Sequence, residues 1–289
     1  MIYVVFEAGS RAGYSARMFF MSYCTNRRAS IDDLILVDED ETFVACGGCG
    51  PIISRMSQSE FIKKYKNEKF FVFSADELTR QRISNGELSF PNAMMSLPEP
   101  REYNKTWLNK YLQLKDIRVP LTFAITDNVF VKPNTMSAGS KGLLTLNNVC
   151  VSEKINISQE YVVDCYVDYP NDVFKFYGRE VKLKNGYDKY IRFIEDDSDV
   201  IDFAKRIVSE CKELKVFNGI CHIQIMRNEK GELFFVEASN RISGTSIVNI
   251  LRGYNPFKML NGIECNDKVY DFNWHLYEDL LFEINKMIW

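Results

Sequence analysis

Apolar residues in the first hundred positions fall into short runs separated by segments with helical spacing. The run Ile2 to Phe6 predicts a strand, and Gly9 and Gly13 bracket a turn after it. A helix is then predicted to about Cys24. LILVDEDE at 34–41 predicts a second strand that ends in acidic residues.

The same alternation continues through the next segment. Ser57 with Glu60 has the spacing of a capping box, which predicts a helix near 58–65. FFVFSADELTRQRIS predicts a third strand and a helix that starts at Ser74 or Ala75. Strands alternating with helices are typical of a parallel α/β domain, which we expect over residues 1–98. A proline-rich linker follows, with Pro91, Pro98 and Pro100.

The pattern changes after a helix predicted at about 103–115. Short strand-like runs follow one another, separated by polar turns: TFAI, VFVKP, GLLTL, EYVVDCYVD, VFKFYG and REVKLK. A helix is predicted at 197–214, then the hairpin GICHIQIMRNEKGELFFVEAS, then helices near 243–253 and 275–288. These elements predict an α+β fold built on antiparallel sheet.

The hairpin predicts which side chains lie together. A turn centred on Lys230-Gly231 pairs Gln224 with Glu237 and His222 with Ser239. Because strand side chains alternate, these four share one face. The opposite, apolar face is expected to hold the residues Ile223, Ile225, Val236 and Ala238. A single-residue bulge would break this register.

Oxygen donors on that face suit a magnesium ion. Gln224, Glu237 and Ser239 offer an amide, a carboxylate and a hydroxyl, and Mg²⁺ prefers hard oxygen ligands with phosphate and water completing its shell. Arg241 and the run Ser243 to Ser246 then add donors for phosphate. The alternative is an ordinary solvent-facing side of a hairpin.

Two further segments carry candidate nucleotide contacts. In VFVKPNTMSAGSKG, Lys132 ends a strand and is followed by a small, glycine-containing loop that includes Lys141 and can fold its amides over phosphates. Glu160 opens the strand EYVVDCYVD, where a carboxylate can accept both hydroxyls of a ribose. Each residue taken alone also fits a surface position in water.

Composition and charge narrow the class of protein. The chain has 289 residues, 46% hydrophobic and 26% charged, with a net charge of −3, which argues against a protein that binds mainly nucleic-acid phosphates. Glu7 interrupts the apolar start, and no run approaches the length of a membrane span, so we expect a cytoplasmic protein. Most of the eight cysteines lie in apolar surroundings typical of reduced core thiols.

Two local motifs leave alternatives open. Cys46 and Cys49 form a CxxC that is either a metal or redox site or a glycine-rich turn with buried thiols. The strand-GxxxG-helix start resembles part of a dinucleotide-binding fingerprint, but Ala16 and Arg17 occupy the region of its third glycine. A turn at a helix N-terminus that faces a small ligand is the alternative there.

The order and spacing of these motifs resemble the ATP-grasp superfamily, in the branch that includes carbamoyl-phosphate synthase and related carboxylate–amine ligases. The resemblance covers about residues 102–255, including NKTWLNKYLQLKDIRVPLTF at its start. It implies a pre-grasp, Rossmann-like α/β domain at 1–98 and an ATP-grasp domain with antiparallel sheets at 99–289. Within the latter it implies a nucleotide-clamping subdomain at about 118–158 and a catalytic subdomain at about 159–289.

The resemblance also implies roles for individual residues. Phosphates would be held by Lys132 and by the loop Gly139, Ser140, Lys141 and Gly142, with Arg241 and Lys141 acting on the transferred group. Adenine would lie at Glu153, Lys154 and Ile155, ribose at Glu160, and Mg²⁺ or Mn²⁺ at Gln224, Glu237 and Ser239. The acid substrate is expected near Arg179, Lys184 and Arg192.

One departure from the family pattern concerns the metal site. Where the family has x-Asn-Pro-Arg after the glutamate, this chain has Ala238-Ser239-Asn240-Arg241. Ser239 is on the correct face but is shorter than an asparagine, and Asn240 is the alternative donor. The site then carries a single formal negative charge, so a metal would bind mainly through ATP.

The resemblance implies an ATP-dependent ligase that activates a carboxylate as an acyl phosphate and transfers it to an amine or ammonia. Its partners would be small molecules, not nucleic acid or membranes, and a homodimer is compatible with the sequence. Two alternatives stay open: an ATP-binding regulatory module without turnover, and a dinucleotide-dependent oxidoreductase that uses the N-terminal glycine turn.

Overall fold

The structure is a computed structural model, which describes residues 2–24, 30, 33–38, 54–73, 77–94, 104–121, 129–133, 149–184, 187–196, 198–263 and 271–288. The chain divides into two compact units. The first contains residues 1–97, 241–270 and 279–289, and the second contains residues 98–240 and 271–278.

The first unit is built on a parallel sheet of five strands. Its N-terminal elements are β1 (Ile2–Phe6), α1 (Arg11–Cys24), β2 (Leu34–Asp38), β3 (Ser54–Ser57), α2 (Gln58–Tyr65), β4 (Phe70–Val72), α3 (Glu77–Ser84) and β5 (Ala93–Met94). The strand order is β3-β2-β1-β4-β5, and every pair is parallel. The predicted parallel α/β start of the chain is confirmed.

Local sequence signals explain where these elements begin. The Ser57 side chain accepts a hydrogen bond from the Glu60 amide, and the Glu60 carboxylate accepts one from the Ser57 amide, so the capping box that starts α2 is confirmed. Gly13 is required at the start of α1, because a Cβ there would lie 2.4 Å from the Ala8 carbonyl oxygen.

The C-terminal segments complete this unit. They are a 3-10 helix at Ser246–Arg252, α6 (Pro256–Leu260) and most of α7 (Tyr277–Ile288). The helix predicted at 243–253 is therefore a 3-10 helix, which ends at the left-handed Gly253 (φ 85°). Residues 241–270 belong to the same compact unit as the N-terminal sheet. The family resemblance instead assigns them to the ATP-grasp domain, and this division of the chain into functional domains stays a prediction.

The second unit is built on an antiparallel sheet of six strands. Its elements are α4 (Lys105–Gln113), β6 (Val129–Pro133), β7 (Val149–Glu153), β8 (Ile157–Asp168), β9 (Val173–Lys184), β10 (Tyr187–Phe193), α5 (Asp199–Glu210), β11 (Gly219–Asn228), β12 (Leu233–Ser239) and β13 (His275–Leu276). The sheet order is β12-β11-β8-β9-β10-β13, and β6 and β7 form a separate two-stranded sheet. The predicted α+β architecture is confirmed.

One strand assignment was wrong. VFKFYG and REVKLK were predicted as two strands, but they form the single twelve-residue strand β9. Gly178, at the junction of these two runs, provides space for neighbouring side chains and makes no turn. A Cβ on Gly178 would lie 2.4 Å from Ile194 Cδ1 and 2.8 Å from Ile201 Cδ1.

The six-stranded sheet has one apolar face and one polar face. The apolar face packs against α5, whose buried residues include Ile201, Ala204 and Ile207. From the central strands β8 and β11, this face presents Val163, Cys165, Val167, Cys221, Ile223 and Ile225. The alternate residues of the same strands lie on the polar face, and five of the predicted site residues belong to this face of the sheet: Glu160, Arg179, Gln224, Glu237 and Ser239.

Candidate active site

The hairpin of β11 and β12 brings the predicted metal ligands together. Gln224 is paired with Glu237, and His222 is paired with Ser239, as predicted from the sequence. We call these four residues the strand-end cluster. Because paired residues of adjacent strands lie on the same face, all four belong to the polar face.

The turn of this hairpin differs from the prediction. Its loop has three residues, with Lys230 at the centre and Gly231 at φ 83°, and Asn228 N donates to Glu232 O at 3.0 Å. Near the turn, Ile225 therefore pairs with Phe235. The Asn228 side chain also accepts hydrogen bonds from the Lys230 and Glu232 amides, which hold this three-residue loop closed.

A β-bulge restores the predicted register before the cluster. The pairing shifts between Gln224 and Ile225, so that Val236 is the extra residue on β12. Val236 is half-buried and, unlike Phe235 and Ala238, is not a member of the core cluster. The expectation that Val236 lies on the core face was wrong, because the bulge changes the alternation at that residue.

The cluster is partly enclosed. His222 and Ser239 are 2% and 0% exposed, while Gln224 and Glu237 are half-buried. Buried polar groups of this kind need partners or a ligand to compensate for the loss of water. The two half-buried residues therefore form the accessible part of the cluster.

A lysine that was not predicted from the sequence contacts this cluster. Lys105, in the first turn of α4, places its Nζ 3.3 Å from Glu237 Oε2, and its side chain is only 7% exposed. A buried lysine needs a compensating charge, and Glu237 supplies it. The two residues are too far apart in the sequence for any local pattern to predict their contact.

The polar face continues across the sheet through a second ion pair. Asp164 on β8 is directly opposite His222, and its carboxylate accepts a hydrogen bond from Arg179 Nη1 on β9. Asp164 and Arg179 are 1% and 0% exposed. Arg179, predicted near the acid substrate, is therefore on the same face as the cluster, where its charge is balanced by Asp164.

Glu160 lies on this face too. It is opposite Met226 on β11 and Val181 on β9. Burial, and then the negative charge of Asp188, raise the pKa of its carboxyl above the ordinary value. Its place beside the cluster fits the predicted contact with a ribose.

The donor set fits a divalent cation only together with a ligand that brings charge. Among the described residues, no group of three or more His, Cys, Asp or Glu side chains is placed to hold a metal. The cluster offers one carboxylate, whose Oε2 is already near Lys105. Its amide and hydroxyl oxygens are hard ligands without charge, so nucleotide phosphates would have to supply most of the binding.

The remaining nucleotide residues lie partly outside the described part of the chain. Lys132 is in β6 opposite Cys150, but its side chain is not described, and the loop Gly139, Ser140, Lys141 and Gly142 lies outside the described residues. Glu153 ends β7, and its amide donates to Leu121 O at 2.8 Å. Lys154 is exposed and Ile155 is half-buried.

The remaining predicted site residues are not described as part of the strand-end cluster. Arg192 lies on the opposite face of the sheet, where its guanidinium contacts Glu180 and stacks on Trp274. The Lys184 side chain is outside the described part. Arg241 belongs to the first unit, and its Nη1 donates to Ile242 O at 3.0 Å. Their roles stay predictions.

The glycine turn of the first unit is held by its own neighbour. The Gly9 amide donates to Asp38 Oδ2 at 2.9 Å, so the acid at the end of β2 binds the turn between β1 and α1. In a dinucleotide site, an acid in this region would instead bind a ribose. Cys46, Cys49 and the glycines beside them lie outside the described residues.

The strand topology and polar face can be compared with known proteins. Neither a family model nor a curated protein sequence matches the chain. Among the described helices, none is long and apolar enough to cross a membrane. Solved structures, in contrast, match over nearly its whole length.

Three of these structures show the nature of the similarity. An N5-carboxyaminoimidazole synthetase from Staphylococcus aureus, solved with ADP, has a TM-score of 0.61 and 12% identity, covering 96% of this chain and 80% of that one. An N5-carboxyaminoimidazole synthase from Aspergillus clavatus, with ADP and 5-aminoimidazole ribonucleotide, has a TM-score of 0.60 and 12% identity over 91% and 77%.

The third is a protein from Archaeoglobus fulgidus assigned to the ATP-grasp superfamily. Its TM-score is 0.63, with 15% identity over 96% of this chain and 99% of that one. Identities this low establish a common fold and not a common activity. The chain therefore has the ATP-grasp fold, the architecture that the motif order implied.

Proposed function

We propose that the chain is an ATP-dependent ligase that joins a carboxylate to an amine or ammonia. The observation that carries this proposal is the pairing of Gln224 with Glu237 on the polar face, with Glu160 on the same face. ADP in the S. aureus and A. clavatus structures supports a nucleotide as the ligand of this fold.

The proposed chemistry has two steps. A carboxylate oxygen of the acid attacks the γ-phosphorus of ATP, and the bond from that phosphorus to the bridging oxygen breaks as ADP leaves. The amine nitrogen then attacks the acyl carbon, the bond from that carbon to the phosphate oxygen breaks, and the amine loses a proton. The products are an amide, ADP and phosphate.

The protein's contribution in this proposal is positioning and charge neutralisation. Lys132 and the loop Gly139–Gly142 hold the phosphates, Lys141 and Arg241 act on the transferred group, and Glu160 holds the ribose. Adenine lies against Glu153, Lys154 and Ile155. Mg²⁺ or Mn²⁺ at Gln224, Glu237 and Ser239 would neutralise phosphate charge when bound.

A coupled assay tests the proposal. Candidate acids and amines are screened in pairs for ADP formation, and 5-aminoimidazole ribonucleotide, present in the A. clavatus structure, belongs in the amine set. The expected result is ADP release that requires one acid and one amine together. ATP turnover that is insensitive to every acid and amine would contradict a ligase.

A second function is favoured by one observation. Glu237 is paired with Lys105 and is the only carboxylate of the strand-end cluster, which leaves that cluster with little capacity for a metal. A chain that binds ATP as a regulatory module, without turnover, fits this arrangement. Release of phosphate that depends on both an acid and an amine would exclude it.

A further inference from the structure

A histidine lies across from the serine that departs from the family pattern. His222 on β11 is directly opposite Ser239 on one side and Asp164 on the other. We propose that the imidazole of His222 completes the metal-binding set of the strand-end cluster. This inference rests on the proposed function, since it requires a metal–nucleotide complex at that face.

The reach of the side chains supports the proposal. The Ser239 hydroxyl is a single bond beyond Cβ, which is shorter than the amide expected there. Directly opposed residues on adjacent strands have Cβ atoms about 4.5–5.5 Å apart. The imidazole nitrogens extend further from the backbone than a serine hydroxyl, so His222 can place a donor over the position that Ser239 does not reach.

Charge balance excludes the other nearby acid, Asp164, as the missing ligand. Its carboxylate already accepts a hydrogen bond from Arg179, which compensates its charge. A neutral imidazole adds a donor without adding another buried charge. Metal-bound histidines commonly have their second ring nitrogen oriented by a carboxylate, and Asp164, directly opposite His222 on β8, is the carboxylate that we assign this role.

The ligand set determines which ions the site prefers. Mg²⁺ binds oxygen ligands almost exclusively, whereas imidazole nitrogen favours transition-metal ions. A cluster with one nitrogen, one carboxylate and one amide oxygen therefore shifts the preference from Mg²⁺ toward Mn²⁺ and Co²⁺. Without the imidazole, only oxygen donors would remain, and the site would no longer prefer Mn²⁺ and Co²⁺ over Mg²⁺.

The two histidines of the chain allow a direct experiment. Protein labelled with ¹⁵N-histidine is mixed with Mn²⁺ and ADP, and pulsed EPR measures nitrogen coupling to the metal. The expected ¹⁵N coupling is kept in His275→Asn and lost in His222→Asn. The adenine nitrogens of ADP stay ¹⁴N, so they cannot produce this signal.

The outcomes separate this inference from the proposed function. Mn²⁺ bound with ADP but without ¹⁵N coupling in the unsubstituted protein overturns the role of His222 alone. A lack of any ADP-dependent Mn²⁺ binding overturns the proposed function too. As a second measurement, His222→Asn should lower the ratio of Mn²⁺ to Mg²⁺ affinity in the ADP complex about tenfold.

Discussion

Lys105 and Glu237 form an ion pair in which Nζ lies 3.3 Å from Oε2, with both side chains largely removed from water. The pair links the first turn of α4 to the strand-end cluster. The ammonium therefore supplies a positive charge beside the Glu237 carboxylate, and the two charges balance each other without a metal.

Removal of this lysine should increase the response of the protein to metal alone. In Lys105→Ala, Glu237 is left without its compensating charge, so Mn²⁺ without nucleotide should raise the melting temperature more than it does in the unsubstituted protein. Lys110→Ala, at an exposed position of the same helix, is the control. An equal response to Mn²⁺ in all three proteins would contradict this explanation.

Substitutions of the two central predicted nucleotide ligands should abolish turnover. Lys132→Ala and Glu237→Ala are each expected to reduce acid- and amine-dependent ADP formation by at least about 100-fold, because each removes a charged group that the proposed function assigns to the phosphates or their metal. Glu229→Ala, at the exposed hairpin turn, should leave the rate unchanged. Full activity of either variant would disprove the assigned site.

Nucleotide affinity should depend on the ionisation of Glu160. Burial and Asp188 raise the pKa of its carboxyl, so protonation, which weakens its capacity to accept two ribose hydroxyls, begins at a higher pH than for an ordinary glutamate. ADP affinity should fall as the pH is lowered through this pKa, and Glu160→Gln should remove that part of the pH dependence.

Asp188→Asn provides the matched test of the cause. Since the charge of Asp188 raises the pKa of Glu160, its removal should move the midpoint of the affinity loss to lower pH. Titration of the ADP phosphates is the same in all proteins, so it cancels in the comparison. An unchanged midpoint would show that burial alone determines this pKa.

The turn end of the β11–β12 hairpin should be stabilised by a carboxylate of α5. Arg227 binds both oxygens of Asp199, at 2.7 and 2.9 Å, and this hydrogen bonding lowers the pKa of Asp199. The aspartate is largely exposed, so Asp199→Asn should reduce the free energy of unfolding by at most about 1 kcal/mol at neutral pH.

The sign of the pH dependence follows from the lowered pKa. A depressed folded pKa stabilises the protein above the unfolded value of about 3.9 and loses that effect as the pH falls through the folded pKa. The difference between the unsubstituted protein and Asp199→Asn should therefore vanish in acid. Asp202→Asn, on the same helix, is the control in urea unfolding at several pH values.

Gly178 should be irreplaceable for steric reasons. Gly178→Ala places a methyl group 2.4 Å from Ile194 Cδ1, which should cost about 1–3 kcal/mol of unfolding free energy. Adding Ile194→Ala removes the closest clashing atoms and leaves Ile201 Cδ1 at 2.8 Å, so the double variant should be more stable than the sum of the two single effects. Strict additivity in urea unfolding would rule out this contact as the cause.

Much of the architecture could be predicted from local patterns, because capping residues and strand alternation act over a few positions. Ser57 with Glu60, and the pairing of Gln224 with Glu237, are examples. The ion pair of Lys105 with Glu237 could not be predicted, since it joins distant segments through packing. The length of β9 could not be predicted, because a sequence does not show whether a glycine bends a strand or, like Gly178, makes room for a neighbouring side chain.

The bulge at Val236 lets the two ends of one hairpin have different registers. Its tip needs an odd loop, closed by Asn228, while its far end needs Glu237 on the polar face. If Val236 were instead part of a regular ladder, it would pair with Gln224, and the Glu237 carboxylate would lie on the face of α5 and Ala238 on the polar face. The bulge at this one residue therefore compensates for the odd length of the loop. The turn can differ in length while the residues beyond the bulge keep their faces of the sheet.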